Sequence, residues 1–499
     1  MQEKCNISGV LPEAVELDRV VAELRSGGVL FVFGLGESGL EAALLARKMG
    51  ACVLVYDESG GESVKKRAST LQELGIGVFL NSVPDGACLP DLVVLSPGIP
   101  PASRLYRRAF ELDCPVVSEL QFAREFLSDI PMVGITGTNG KTTTTELVAH
   151  LLTKMGYHVG VGGNIGTPLS RLARERKNWD FLIVECSSFQ LMNSPAMKWA
   201  CGVFLNFGSD HLDWHASEAE YFMSKCRIWN TTGGERRGAL ANDSLFAEAE
   251  RLGIDLAEAG LVTFSLDNRH ADYFWDDVQN AVICRENHRI LLTATDLPIT
   301  LRLRHNRENI LAALAVIDRL GLADGLDKAF LSDFVVAPHR FEICDGVAKG
   351  VTVINDSKAT NPAAVESAIK ALAAGFGSSS KARIFLIAGG RDKKMDFGKL
   401  NPLLKEHVQE ALLFGENRYR LAECWADATL CNMCETLEHA VDLAFSKARP
   451  GDTILFSPGC ASFDMFQSYI DRGNQFKQAL KRRQSNANPE RQLASRSAV

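Results

Sequence analysis

The sequence predicts an α/β protein of three domains, each built on a mainly parallel sheet. Three observations carry this. The chain has 499 residues, and at ~100–200 residues per domain that suits about three domains. Short apolar runs alternate with helix-period stretches in three successive series, the pattern of parallel sheets with crossover helices. Glycine-rich turns stand at several strand-to-helix junctions.

The first series reads as strands at 29–33, 53–56 and 91–95, the second as strands at 132–135, 181–184 and 201–205. The third reads as strands at 351–354, 384–388, 411–414 and 453–456. Between the second and third, residues 237–304 carry β-type segments at 261–264, 281–284 and 290–293, expected as a small antiparallel addition, then a helix at 309–320. Boundaries fall near 119 and at Ala337-Pro338-His339-Arg340, where the proline turns Ala337 away from helix. The domains are therefore 1–119, 120–336 and 337–485, with a polar tail at 486–499 expected to be disordered.

Composition narrows the function classes. The chain is 46% hydrophobic and 23% charged, as in globular proteins. Its 54 Lys+Arg against 61 Asp+Glu leave a net charge of -7, which argues against a nucleic-acid or anionic-membrane binder. No apolar run approaches the ~20 residues that span a bilayer, and no signal-peptide pattern is visible. Thirteen Cys, with Cys52, Cys186 and Cys201 inside apolar runs, suit a reducing cytoplasm.

Gly34-Leu35-Gly36-Glu37-Ser38-Gly39 follows a strand and opens a helix, and Asp57 ends the next strand. That spacing fits a Rossmann-like dinucleotide turn, with the acid placed for a sugar hydroxyl. An NAD-dependent dehydrogenase is one reading of it. The charge of Glu37 would repel a pyrophosphate unless it points away.

The strongest local signal is Gly134-Ile-Thr-Gly137-Thr138-Asn139-Gly140-Lys141-Thr142-Thr143. It departs from the usual P-loop, with five residues between Gly134 and Gly140. Backbone N–H groups of this loop and its helix would cradle phosphates. Lys141 would supply a point charge and Thr142 a hydroxyl for Mg²⁺. Ligands of open parallel sheets lie beyond the carboxyl ends of the strands. Glu185 falls there, as do Asp210 and His211, so oxygen and imidazole groups should stand beside a triphosphate. Asp213 and His215 read as turn residues.

The third series repeats the arrangement. Asp356-Ser357-Lys358-Ala359-Thr360-Asn361, Gly389-Gly390-Arg391-Asp392-Lys393-Lys394 and Ser457-Pro-Gly-Cys-Ala-Ser462-Phe463-Asp464 each follow a strand. Their cations and hydroxyls suit an anionic small substrate. Cys424, Cys431-x-x-Cys434 and His439 invite a zinc reading, but a lone Cys pair is a weak basis for one.

On these stretches the chain resembles the Mur ligase family of peptidoglycan synthesis over roughly residues 28 to 480. Gly162-Gly-Asn164-Ile-Gly, Glu185-Cys-Ser-Ser-Phe-Gln190-Leu, Lys225, His305-Asn306-x-x-Asn309, Pro338-His-Arg340-Phe-Glu and Asp471-Arg-Gly473 complete the match. The phosphate loop and the Glu185/His211 region are shared with folylpolyglutamate synthases, an alternative reading; a nucleotide-gated module without catalysis is another. The Ser-Ser-Phe-Gln-Leu, Asp-Ser-Lys-Ala-Thr-Asn and Ser-Pro-x-Cys-Ala-Ser-x-Asp stretches point to the D-glutamate-adding branch.

The resemblance implies a Rossmann-like N-terminal domain for a UDP-sugar, a central P-loop-type ATPase domain and a Rossmann-like C-terminal domain for an amino acid. It implies ATP-dependent addition of D-glutamate to UDP-N-acetylmuramoyl-L-alanine through an acyl phosphate, releasing ADP and phosphate. By motif, Lys141, His211 and Lys225 are implied as catalytic. Thr142, Glu185, His211 and a carbamylated Lys225 are implied as Mg²⁺ ligands. Asn306, Asn309, Arg340, Asp356 and Lys358 join the phosphate loop at ATP, and Ser38, Asp57 and Asn164 at the UDP-substrate. Thr360, Lys393, Ser462, Phe463 and Tyr469 match the D-glutamate pocket. A cytoplasmic monomer acting on small molecules, without nucleic-acid or membrane partners, is expected.

Overall fold

A computed structural model describes residues 5–6, 17–86, 88–208, 214–232, 238–293, 297–344, 350–373, 383–391 and 395–487. The chain forms two compact units, Met1–Leu297 with Arg307–Phe334, and Pro298–Asn306 with Val335–Val499.

The first unit holds two large sheets and a two-stranded one that pairs Cys5–Asn6 with Ile254–Asp255 in parallel. One has strand order Gly77–Leu80, Cys52–Asp57, Val29–Phe33, Leu92–Leu95, Val116–Ser118, paired in parallel throughout. Its inner strands are near-continuous Val, Leu and Phe, as strands covered on both faces require. The other has the order Arg289–Thr293, Ala281–Cys284, Tyr273–Asp276, Val262–Ser265, Ala239–Asn242, Cys201–Phe204, Met132–Thr136, Phe181–Glu185, Val159–Gly163. The expected antiparallel addition is hydrogen-bonded onto this sheet rather than set apart from it. Val262–Ser265 runs parallel to both of its neighbours, so the 261–264 segment was misplaced in the antiparallel group. The antiparallel pairings join Tyr273–Asp276 to Ala281–Cys284 and then to Arg289–Thr293.

One buried apolar cluster runs through both large sheets of this unit, from Leu30, Val32 and Val55 to Leu182, Val184 and Trp199. Polar ties cross the same joint. Arg174 of helix Leu169–Arg174 places Nε 3.0 Å and Nη2 2.9 Å from Glu41 Oε2 on helix Glu37–Met49. Ser170 N–H donates to Glu119 Oε1 at 2.5 Å. The boundary expected near 119 lies inside this unit, between strand Val116–Ser118 and helix Glu119–Arg124.

Glu119 has a measurable consequence. Burial raises its carboxyl to about 7, against the lowering effect of Ser170. A carboxyl raised on folding stabilises most below its unfolded pKa, and that contribution is lost as pH rises through the folded value. Ionising it in place costs at most roughly 3 kcal/mol. Glu119→Gln should therefore raise the thermal midpoint at pH 8.5 by several degrees and change it little at pH 4.5. An equal shift at both pH values would contradict this account.

The second unit holds one sheet in the order Glu342–Ile343, Thr352–Asn355, Thr453–Gly459, Ile384–Gly389, Val408–Phe414, Leu430–Met433. All pairings are parallel except the first. Helices pack on both faces, Pro362–Ala373 and Arg418–Trp425 in one apolar cluster and Leu437–Lys447 in another. Among the described residues no helix is long and apolar enough to cross a membrane.

Candidate active site

Strand Met132–Thr136 lies inside its sheet between Cys201–Phe204 and Phe181–Glu185, so loops from all three emerge side by side. The phosphate loop leaves the first of them and enters helix Lys141–Lys154 at Gly140, which adopts φ 82°. A Cβ at 140 would stand 2.4 Å from Asn309 Oδ1, so glycine is required both for the backbone and for the close approach. That amide oxygen also accepts from Thr144 Oγ1 at 3.2 Å, which ties helix Arg304–Arg319 to the loop.

Side chains hold the loop open. Asn206, two residues past strand Cys201–Phe204, accepts from Asn139 N–H at 2.8 Å and donates back to Asn139 O at 3.2 Å. Lys141 Nζ donates to Gly137 O at 2.8 Å and to Thr138 O at 3.0 Å. Lys225 Nζ, on helix Glu218–Cys226, reaches the same Gly137 O at 2.9 Å and lies 4.7 Å from the Tyr221 ring centroid. Two lysine ammoniums thus converge on one carbonyl at the loop.

Glu185 closes the strand beside the loop and is 2% exposed. Its Oε2 accepts from Thr142 Oγ1 at 2.7 Å and its Oε1 from Asn164 Nδ2 at 2.8 Å. Hydroxyl and carboxylate oxygens meeting at one point are a donor set suited to a hard cation such as Mg²⁺. His211, Asp210 and Asp213 lie outside the described residues. Among the described residues no group of three or more His, Cys, Asp and Glu is placed to hold a metal ion, Cys424, Cys431, Cys434 and His439 included.

At the first sheet, Glu37 is exposed in the opening turn of helix Glu37–Met49 and Ser38 is half-buried beside it. The Asp57 carboxylate is engaged by the turn itself, accepting from Leu35 N–H at 2.6 Å and from Ser59 N–H at 2.7 Å. Each oxygen retains a further lone pair for a ligand.

In the second unit the loops after strands Thr352–Asn355 and Thr453–Gly459 meet around a buried guanidinium. Arg472, with 0% exposure, donates to Ser357 Oγ at 3.1 Å, Ser357 O at 2.7 Å and Cys460 O at 2.9 Å. Burial lowers its pKa to about 10, so it stays charged at neutral pH. Asp356 accepts from Ser457 Oγ at 2.8 Å and from Phe341 N–H at 3.1 Å. Burial raises its carboxyl to about 7, outweighing Ser457, Phe341 N–H, Arg340 and Arg472.

Lys358 Nζ stands 4.1 Å over the Tyr469 ring. Ser462 is buried, Phe463 is 65% exposed, and Arg340 and Thr360 are half-buried. Asn306 donates to Thr300 O at 2.8 Å. Lys393 lies outside the described residues. His339 takes a left-handed backbone at φ 68°. Its Nδ1 is 2.9 Å from Asn355 Nδ2, and a Cβ at Gly473 would come within 2.3 Å of the same nitrogen.

The structure thus gathers Gly137 to Thr143, Asn164, Glu185, Lys225 and Asn309 in the first unit. In the second it gathers Asp356 with Ser457 of strand Thr453–Gly459, and Lys358 with Tyr469. Sequence reasoning did not assign roles to Asn206, Tyr221, Ser457 or Arg472. Position just past an expected strand end was an available signal for both Asn206 and Ser457, although the strand extends through Ser457 to Gly459. The buried state of Arg472 had none beyond its place in Asp471-Arg-Gly473.

Comparison with known proteins decides the family. Residues 135–317 match the Mur ligase middle domain and residues 339–460 the Mur ligase glutamate ligase domain. The UDP-N-acetylmuramoylalanine-D-glutamate ligase of Myxococcus xanthus is 36% identical over 462 residues, covering 91% of this chain and 98% of that protein. The chain belongs to the Mur ligase family. The Lactobacillus acidophilus enzyme of the same name is 35% identical over 462 residues, covering 90% of this chain and 95% of its own. The fold matches MurF ligase of Thermotoga maritima in complex with ADP, with TM-score 0.57, 17% identity, and 93% and 99% of the two chains covered. It also matches UDP-N-acetylmuramate-alanine ligase MurC of that organism, with TM-score 0.55, 21% identity, and 92% and 99% covered. This Mur ligase is accordingly an ATP-dependent, ADP-forming acid–amino-acid ligase of cell-wall synthesis.

Proposed function

We propose that the protein joins D-glutamate to the L-alanyl carboxylate of UDP-N-acetylmuramoyl-L-alanine. Residues 1–119 hold the UDP-substrate, 120–336 hold ATP and 337–485 hold the amino acid. The observation that carries the reading is the Glu185 carboxylate, which Thr142 of the phosphate loop and Asn164 share at 2.7 and 2.8 Å. Two relatives above 34% identity with this activity in their names support it.

A carboxylate is a poor electrophile, so its oxygen must first become a leaving group. The substrate carboxylate attacks the γ-phosphorus and ADP departs. The amine of D-glutamate then attacks the acyl carbon, loses a proton and expels phosphate. The chain's part is positioning and charge stabilisation. N–H groups of Gly137 to Thr143 and the Lys141 ammonium orient the phosphates. Thr142, Glu185, His211 and a carbamylated Lys225 would hold Mg²⁺, which neutralises phosphate charge when bound. Carbamylation of Lys225 forms an Nζ–C bond to CO₂, and the ammonium gives up two protons to water, one before the bond forms and one as it forms. The carbamate keeps one N–H, enough to retain the bond to Gly137 O.

Asn309, Asn306, Arg340, Asp356 and Lys358 serve the nucleotide, and Ser38, Asp57 and Asn164 the UDP-substrate. Thr360, Lys393, Ser462, Phe463 and Tyr469 serve D-glutamate. The test is phosphate release from ATP by the purified full chain. Release should require both UDP-N-acetylmuramoyl-L-alanine and D-glutamate. Release with L-glutamate and a folate, and none with the first pair, would reassign the protein to the folate-type ligases.

A further inference from the structure

His215 lies just beyond the segment that carries His211, and it is 3% exposed. Its Nε2 is 2.9 Å from Ser188 Oγ. Its Nδ1 is 3.7 Å from Glu220 Oε2, an oxygen that also accepts from Ala216 N–H at 2.7 Å. Its ring stacks on Phe189 at 5.6 Å and 22°, and meets Tyr221 at 5.1 Å and 37°.

These contacts fall on two different arms of the candidate site. Ser188 and Phe189 belong to the turn that follows Glu185, where Ser187 and Gln190 form a capping box on helix Ser188–Met192. Glu220 and Tyr221 belong to helix Glu218–Cys226, which carries Lys225. The Tyr221 ring holds Lys225 Nζ at 4.7 Å, and its hydroxyl is 3.4 Å from Thr138 Oγ1 of the phosphate loop. An ordinary core histidine needs to satisfy its nitrogens locally. This one spans from the Glu185 arm to the Lys225 arm, and its packing fixes the ring that Lys225 rests on.

We propose that His215 is a positioning residue for the cation end of the nucleotide site, setting the distance between Glu185 and Lys225 through Ser188 on one side and Tyr221 on the other. This rests on the reading of Glu185 and Lys225 given above. Groups that orient metal-binding side chains in this way typically change metal affinity about 10–100-fold when removed. Neither of the two ligands would itself be altered by a change at 215.

The experiment uses the full chain and the fluorescent nucleotide mant-ATP, titrated with Mg²⁺, with circular dichroism melting of each variant. His215→Ala should raise the half-saturating Mg²⁺ about tenfold. His215→Gln, whose amide can reach Ser188 Oγ, should recover most of the loss. His215→Phe, which keeps the stack and not the hydrogen bond, should fall between them. KM for the UDP-substrate should not move in any of the three.

Wild-type Mg²⁺ dependence in folded His215→Ala would overturn the proposal. So would a loss that follows the melting temperature with no recovery in His215→Gln. Should the alanine variant not fold, the glutamine and phenylalanine variants decide alone, and equal behaviour of the two would overturn it. A wild-type protein that binds mant-ATP without regard to Mg²⁺ would remove the reading of Glu185 and Lys225, and the proposal with it. Failure of D-glutamate as substrate would leave this measurement unaffected.

Discussion

Lys141→Ala is expected to cut phosphate release about 10³-fold, the upper range for loss of one preorganised charge at a transition state. Lys141 is half-buried and its Nζ is already fixed by Gly137 O and Thr138 O. Its charge therefore reaches a phosphate with little further ordering, and the benefit grows as charge develops in transfer. The fold should survive, because Gly137 O keeps the Lys225 ammonium as donor and Thr138 lies in the half-exposed part of the loop, where water can enter. The thermal midpoint should stay within about 2 °C of wild type, since surface changes usually cost under 0.5 kcal/mol. Lys141→Arg should not restore activity, because a planar fork cannot replace a compact ammonium in a cradle of this size. Turnover within tenfold of wild type for the alanine variant would exclude the proposed role.

Arg472→Met should produce the largest loss of stability. The guanidinium has no contact with water and serves three acceptors, Ser357 Oγ, Ser357 O and Cys460 O. Methionine fills part of the volume and leaves buried carbonyls without donors, each costing about 1–3 kcal/mol. A total of roughly 3–5 kcal/mol is expected, read as a lower urea midpoint for the transition that includes the second unit. The same substitution loosens the loops that carry Lys358 and Ser462, so KM for D-glutamate should rise in the folded variant. Unchanged stability would mean that the two loops hold their positions without this clamp.

The sequence revealed the strands that lie inside the sheets. Val29–Phe33 and Ile384–Gly389 are buried along nearly their whole length, and an apolar run is the direct mark of that environment. Edge strands were harder. Val159–Gly163 is Val-Gly-Val-Gly-Gly, which has neither the bulk nor the alternation that marks a strand. Gly77–Leu80 has no fully buried residue. Val262–Ser265 was seen as a strand and misjudged in direction, because direction depends on the path of the preceding helix Ser244–Arg251.

The candidate site was legible where backbone motif and chemistry coincide, as at Gly140, Lys141 and Thr142. It was least legible where a side chain's role depends on what folds over it. Spacing pointed Asp57 at a sugar, yet its oxygens also clamp Leu35 of the glycine-rich turn and Ser59 of its own turn. His215 read as a turn residue, but Phe189, distant in sequence, packs against its ring together with the nearby Tyr221.

The close approach of Gly473 to His339 links two positions in the inheritance of this chain. A methyl group at 473 would strike the imidazole at 2.3 Å and push it off Asn355, which also donates to Gly473 O at 3.3 Å. His339 in turn occupies a backbone region at φ 68° that favours glycine. Divergence at either site alone is penalised, whereas a small residue at 339 makes room for a side chain at 473. The two should drift as a pair, and a homologue that has lost the glycine should have lost the histidine as well.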